Sequence, residues 1–280
     1  MSQALPKLGI LAGGGTLPAR LAAAARGQGR GVFLVAFEGH TDPATVEGLP
    51  HLWSRFGAAG GIIARLKDEG VRDLVFAGPV RRPSFTELLP DWYTARFLAK
   101  VGTRALGDDG LLRSVARALE EEGFRVVGLH ELLADLLTPA GPVGRLAPDA
   151  GAERDIAHAA AVARALGALD VGQGAVVQQG IVLAVEAVEG TDAMLARCAG
   201  LARPGPGGVL VKMAKPQQDR RIDLPTIGVT TVEKAAGAGL RGIAVEAGGS
   251  LLVDRAAVAA AADRLGLFVV GVAAPAEARA

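Results

Sequence analysis

Cysteine is almost missing from this chain. Cys198 stands alone among 280 residues, which excludes an intramolecular disulfide and any zinc site built from several cysteines. It falls in Ala193-Met-Leu-Ala-Arg-Cys-Ala, a helical pattern in which a lone thiol reads as a small buried hydrophobe rather than a nucleophile. Aromatic residues make up 4% of the chain, too few for a platform on which nucleic-acid bases could stack. An excess of either charge is also absent. The formal net charge is +1, and no basic stripe of the kind that nucleic-acid binding requires is visible. No apolar run approaches the ~20 residues needed to cross a bilayer, and the first residues lack the basic-then-apolar order of a secretory signal. The expectation is a cytoplasmic protein, with a peripheral contact at the inner-membrane face left open.

What is present is an ordinary globular composition, half hydrophobic and about a fifth charged. The length exceeds the usual ~100–150 residues of one domain, so two domains are expected. Lys7–Ala12, Gly31–Phe37, Asp73–Ala77 and Phe124–Gly128 read as strands, separated by helical patterns at 19–26, 59–69 and 113–122. That alternation predicts a Rossmann-like parallel sheet over residues 1–137. Residues 138–148 carry three prolines and two glycines without periodicity, and read as a linker. Residues 149–280 read as a second, mixed α/β domain, whose first two strands meet in a hairpin at Gly180.

The most informative segment is Val209–Gly228. Lys212, Lys215, Gln218, Asp219, Arg220, Arg221 and Asp223 crowd between a strand-like run and Pro225-Thr-Ile-Gly228. Pro216 and Pro225 resist regular structure there, so the loop displays both signs of charge. Cations suit a polyanion, and carboxylates suit a metal ion. A solvated charged loop is the plainer reading. Upstream, Gly13-Gly14-Gly15-Thr16-Leu17-Pro18 sits where a strand feeds a helix, a place where backbone N–H groups can receive a phosphate. Pro18 replaces the third glycine of the dinucleotide fingerprint, and Glu38 stands where a ribose-binding acid would lie. A tight strand-to-helix turn explains the same residues. Glu186 interrupts an apolar strand and needs a cation, a hydrogen bond or water. Glu189, Gly190, Thr191 and Asp192 follow it at a helix start, where Thr191 is a plain N-cap candidate. Gly78, Arg81 and Arg82 follow the third strand, at the edge where open α/β sheets bind ligands. Asp108 and Asp109 read as capping residues. The four histidines show no metal or triad spacing.

At these residues the chain resembles the LpxI-type UDP-2,3-diacylglucosamine pyrophosphohydrolases of lipid A biosynthesis. The resemblance rests on Ala12–Pro18, Ala77–Pro83, Gly107–Leu112, Val185–Asp192 and Lys212–Gly228, and covers nearly the whole length. It implies two linked α/β domains and magnesium-dependent cleavage of UDP-2,3-diacylglucosamine into UMP and 2,3-diacylglucosamine 1-phosphate. Asp223 matches the aspartate that the family's loop motif needs for activity. With that chemistry, Asp223 is expected to bind Mg²⁺ (or Mn²⁺) or to orient water, with Glu186 as a further metal ligand and Asp219 as a helper. Lys212, Lys215 and Arg221 form the expected clamp on the diphosphate. Gly13–Leu17, Gly78, Arg81, Arg82, Glu189–Asp192 and Gln218 are the expected substrate-binding residues. Trp92, Tyr93 and Phe97 are candidates to line an apolar cleft for the acyl chains, and a homodimer is compatible with the sequence. The rivals are a Rossmann-type NAD-dependent oxidoreductase, weakened by Pro18, and a nucleotide-sugar or lipid-binding regulator without catalysis.

Overall fold

A computed structural model describes residues 5–80, 90–101 and 108–274. The chain divides into two compact units, one of residues 1–134 with Asp219–Asp223, the other of residues 135–218 and 224–280.

In the first unit, strands β1 (Lys7–Ala12), β2 (Val32–Phe37), β3 (His51–Ser54), β4 (Val71–Ala77) and β5 (Arg125–Val126) form a sheet in the order β3-β2-β1-β4-β5. Every neighbouring pair is parallel. All six residues of β2 are buried, the signature of a strand covered on both faces by crossover helices. Phe33, Val35 and Leu74 pack on one face with Ile62, Ile63 and Leu66 of the Ala59–Asp68 helix. Neighbours of β1 lie on both sides of it, so the strand order reverses between β1 and β4, where such sheets usually hold ligands at the carboxyl ends.

The second unit has a six-stranded mixed sheet, built from β6 (Gly141–Pro142), β7 (Gly174–Gln178), β8 (Ile181–Val185), β9 (Val209–Lys212), β11 (Gly242–Glu246) and β13 (Phe268–Val272). Its order is β6-β13-β11-β9-β7-β8; β10 (Thr226–Ile227) and β12 (Leu251–Leu252) pair separately. Strands β9, β11 and β13 run parallel, whereas β6, β7 and β8 are antiparallel to their neighbours. The hairpin expected at Gly180 joins β7 to β8. Gln179 and Gly180 both have positive φ, 52° and 77°, which suits the right-handed twist of the flanking strands. Alternation along β9 sends Val209 and Val211 toward the Ala150–Ala168 helix, whose Ala152, Ala159 and Ala163 allow close approach. Leu210 faces the opposite core with Met194, Leu195 and Cys198. Cys198 is fully buried, and burial pushes its thiol pKa up, so it packs as a hydrophobe.

Residues 138–148 are not a linker but part of the second unit. The Thr138 amide donates to the Ser250 carbonyl, β6 pairs with Val270 and Gly271, and the Val143 amide donates to Val269 at 2.8 Å. Glycine at 271 leaves room for the Pro139 carbonyl, which a side chain would strike. The prolines mark a two-residue edge strand, where a missing N–H is tolerated.

Candidate functional site

The glycine turn forms where expected, but its first two N–H groups are engaged. Gly13 donates to the Ala77 carbonyl at 2.7 Å and Gly14 to that of Pro79 at 2.9 Å. A Cβ on Gly13 would stand 2.6 Å from the carbonyl oxygens of Gly78 and Pro79, so glycine serves the contact between two strand ends. Here the N–H groups of Gly13 and Gly14 serve the fold, in line with the tight strand-to-helix turn. Gly15 and Thr16 are exposed beyond the turn, and buried Leu17 begins a helix with Pro18 in its first turn. Thr41, missed in the sequence, ties this region together by accepting from the Phe37 amide and donating to the Ala12 carbonyl. Glu38 is exposed. Arg81 and Arg82 lie outside the described residues, as do the side chains of Asp108 and Asp109.

The charged loop is internally braced. Its residues Asp219–Asp223 belong to the first unit, where Ile222 packs against Ala116 and Val126. The amides of Ile222 and Asp223 both donate to the Asp219 carbonyl, closing one turn that ends at half-buried Asp223. Arg221 makes a two-point contact with Asp219, at 3.1 and 2.8 Å, and donates to Glu120 at 2.7 Å. The hydrogen bond from Arg221 holds Asp219 below the usual carboxylate range, and Asp219 with Glu120 raises the arginine pKa in turn. With two carboxylates on its guanidinium, Arg221 shapes the loop in this arrangement. Lys215 donates to Asp170 at 2.7 Å, and the Gln218 side chain accepts from the Lys215 amide. Sequence reading missed Glu120 and Asp170, which lie 101 and 45 residues from their partners. No local pattern carries such pairings.

Lys212 differs. It ends β9, buried to 6% exposure, and its ammonium donates to the Thr191 hydroxyl at 2.8 Å. That hydroxyl donates in turn to Glu186 Oε1 at 2.9 Å. Glu186 is 7% exposed, and its Oε2 has no hydrogen-bond partner among the described residues. The register explains the arrangement: Lys212 pairs with Gly174, whose missing side chain leaves the space in which the Glu186 carboxylate sits. Gly190, with φ of 78°, turns the chain into the Gly190–Cys198 helix that carries Thr191. Glu189 and Asp192 are not part of this group; Glu189 accepts from Arg197 and Asp192 from Lys234 at the surface.

Among the described residues, no three His, Cys, Asp or Glu side chains gather as a metal cage. Mg²⁺ does not require one, because it uses one or two carboxylates and completes its shell with phosphate and water. Asp223, half-buried at the end of the loop turn, is a single carboxylate of the kind such a site uses. Of the aromatics proposed for acyl chains, Trp92 is 83% exposed, while Tyr93 packs on the first core and donates to Glu122. Burial and that carboxylate push the Tyr93 pKa up to about 12. No helix among the described residues is long and apolar enough to cross a membrane.

The LpxI N-terminal domain model matches residues 7–136 and the LpxI C-terminal domain model residues 139–270. A UDP-2,3-diacylglucosamine pyrophosphatase LpxI of Caulobacter vibrioides is 47% identical over 273 residues, covering 95% of this chain and 97% of its own. Among solved structures, a CobK precorrin-6A reductase is 18% identical and covers 98% of this chain and 91% of its own, with a TM-score of 0.38. That last likeness is too weak to argue from. Two consecutive domain models that together span the described fold, and a relative matched almost end to end, agree: the chain belongs to the LpxI family.

Proposed function

We propose that this protein hydrolyses the pyrophosphate bond of UDP-2,3-diacylglucosamine, giving UMP and 2,3-diacylglucosamine 1-phosphate for lipid A biosynthesis. The observation that carries the reading is the 47% identity to a pyrophosphatase of that specificity over 95% of the chain. The reaction develops charge on phosphoryl oxygens, which fixed cations stabilise most where water is excluded. Buried Lys212 has that character and is assigned to the diphosphate. Asp223 is assigned to hold Mg²⁺ (Mn²⁺ as a substitute) or to orient the attacking water. The metal, when bound, would polarise a phosphoryl oxygen and neutralise developing charge. Asp219 and Arg221 act by shaping the turn that presents Asp223, and Lys215 and Gln218 are assigned to the substrate. Gly15, Thr16 and Leu17 are the part of the glycine turn assigned to substrate. Both the substrate and the acylated product are amphipathic, so the protein is assigned to work at the cytoplasmic surface of the membrane through a peripheral contact.

The test incubates purified protein with UDP-2,3-diacylglucosamine in detergent micelles, with Mg²⁺ or with excess chelator. Release of UMP with Mg²⁺ and its loss in chelator is the expected result. Saturable binding without UMP would leave a regulator, and full turnover in chelator would remove the metal from the mechanism.

A further inference from the structure

The chain Lys212–Thr191–Glu186 is unusual in what it leaves unsatisfied. A buried ammonium has three N–H groups and a buried carboxylate accepts about four hydrogen bonds, yet a single hydroxyl joins them. The direction of both bonds is fixed. An ammonium only donates, so the Thr191 oxygen accepts; the hydroxyl has one proton, and that proton goes to Glu186 Oε1. Thr191 thus transmits the orientation of one charge to the other. A direct ion pair would be tighter, but it would turn the ammonium toward Glu186 and away from a ligand. Routed through the hydroxyl, the carboxylate balances the lysine charge at one remove and leaves its other N–H groups available. Backbone enforces the spacing. Gly174 and Gly172 both lack side chains that would strike Glu186, and the Glu186 amide donates to the Gly174 carbonyl at 2.9 Å. The start of the Gly190–Cys198 helix adds partial positive charge beside the lysine. The group lies at the carboxyl end of β9, the edge at which open α/β sheets receive ligands.

We infer that Thr191 and Glu186 are positioning residues that hold the Lys212 ammonium for the substrate diphosphate, and that Glu186 is not a metal ligand. The inference rests on the proposed hydrolysis for its kinetic test, but not for its physical one.

The kinetic arm compares Thr191→Val, Thr191→Ser and Glu186→Gln, each with its melting temperature. Thr191→Val keeps the shape and removes the hydroxyl, so kcat/KM should fall about 10-fold or more, the scale of one hydrogen bond to a charged group. Thr191→Ser should restore most of it. Glu186→Gln should lower kcat/KM while leaving the Mg²⁺ concentration for half-maximal rate unchanged. The physical arm needs no turnover. In protein labelled with ¹⁵N-lysine, an ammonium held and shielded from water keeps a ¹H–¹⁵N correlation, assigned by its disappearance in Lys212→Arg. That signal should persist in Thr191→Ser and vanish in Thr191→Val. A Thr191→Val protein with wild-type kcat/KM and an intact Lys212 signal would overturn the inference. So would a Glu186→Gln protein whose half-maximal Mg²⁺ concentration rises several-fold. If wild type releases no UMP but the lysine signal behaves as described, the proposed function fails and the positioning role stands.

Discussion

Two buried ionic groups, one in each unit, show how differently the same side chains can be used. In the first unit Asp73 lies on β4 between Arg30 and Arg125. Arg125 reaches both of its oxygens, at 2.9 and 2.7 Å, and Arg30 donates to Oδ2 and to the Pro6 carbonyl. Each carboxylate oxygen has a partner, and the group sits toward the amino end of the sheet. In the second unit Glu186 and Lys212 are buried to a similar degree, yet one oxygen of Glu186 stays without a partner. That group sits at the carboxyl end of β9. On the inference above, the closed cluster at the amino end is architecture, whereas the open one at the carboxyl end is held for a ligand. Burial is common to both, so satisfaction and location carry the distinction.

The largest effect should follow from opening the closed cluster. Asp73→Ala leaves Arg30 buried against no carboxylate, a change that typically destabilises by about 3–5 kcal/mol. Chemical denaturation should register that loss. The pH dependence has a defined sign. Burial pushes Asp73 up, but Arg125 and Arg30 together hold its pKa below the ordinary value. A depressed folded-state pKa contributes stability that is present above the unfolded value, near 4, and is lost as pH falls through the folded one. Wild type should therefore weaken on acidification below about pH 4, and Asp73→Ala should lack that part of the slope. An Asp73→Ala protein of wild-type stability would erase the contrast between the two clusters.

Asp223→Ala comes next and should act on rate instead. Turnover is expected to drop at least ~10²-fold, the lower end for a positioned acid–base or electrostatic group. Substrate should still bind through the cationic residues, and Ile222 and the Asp219–Arg221 pair still brace the turn, so rate should fall much further than affinity or melting temperature. A proportional loss of stability, affinity and rate would make Asp223 structural. Near-normal turnover would refute its assignment.

The sequence showed some of this and concealed the rest for physical reasons. Apolar runs such as Val32–Phe37 announce buried strands, because a strand covered on both faces has no polar alternation to confuse the pattern. The strand–turn–helix at Gly13 was legible as geometry, but its use was not: whether an N–H meets a phosphate or the Ala77 carbonyl depends on β4, more than sixty residues on. The stretch 138–148 misled because prolines and glycines mark linkers and edge strands alike, and its partner β13 lies far away in the chain. Glu186, Thr191 and Lys212 each stood out individually. What joined them was the empty space over Gly174, and an absent side chain has no sequence signature.

That space offers a sharper probe of the open cluster. A Cβ on Gly174 would stand 2.5 Å from Glu186 Oε2 and 3.4 Å from its Cβ. The carboxylate must swing aside or the strand must shift, an overpacking that commonly costs about 1–3 kcal/mol. Gly174→Ala should lower both stability and kcat/KM, since a displaced Glu186 no longer holds Thr191. If stability falls and kcat/KM does not, the cluster is architecture after all, and the contrast with Asp73 collapses.

The smallest effect should come from an ion pair that is complete but not buried. Arg145 donates to Asp263 from its guanidinium at 3.1 Å and from its backbone amide at 2.7 Å, with the arginine side chain 80% exposed. As in the Asp73 group, each carboxylate oxygen has a partner. Water, however, solvates both ends in the unfolded chain and most of the arginine in the folded one, so little is gained by pairing. Asp263→Ala should change unfolding free energy by no more than ~1 kcal/mol, chiefly through the lost amide contact. The guanidinium part of that difference should shrink further in high salt. Denaturation of both proteins at low and high ionic strength measures it. A loss near that of Asp73→Ala would mean that the number of partners, not burial, sets the stake in these clusters, and the ranking of all three would have to be redrawn.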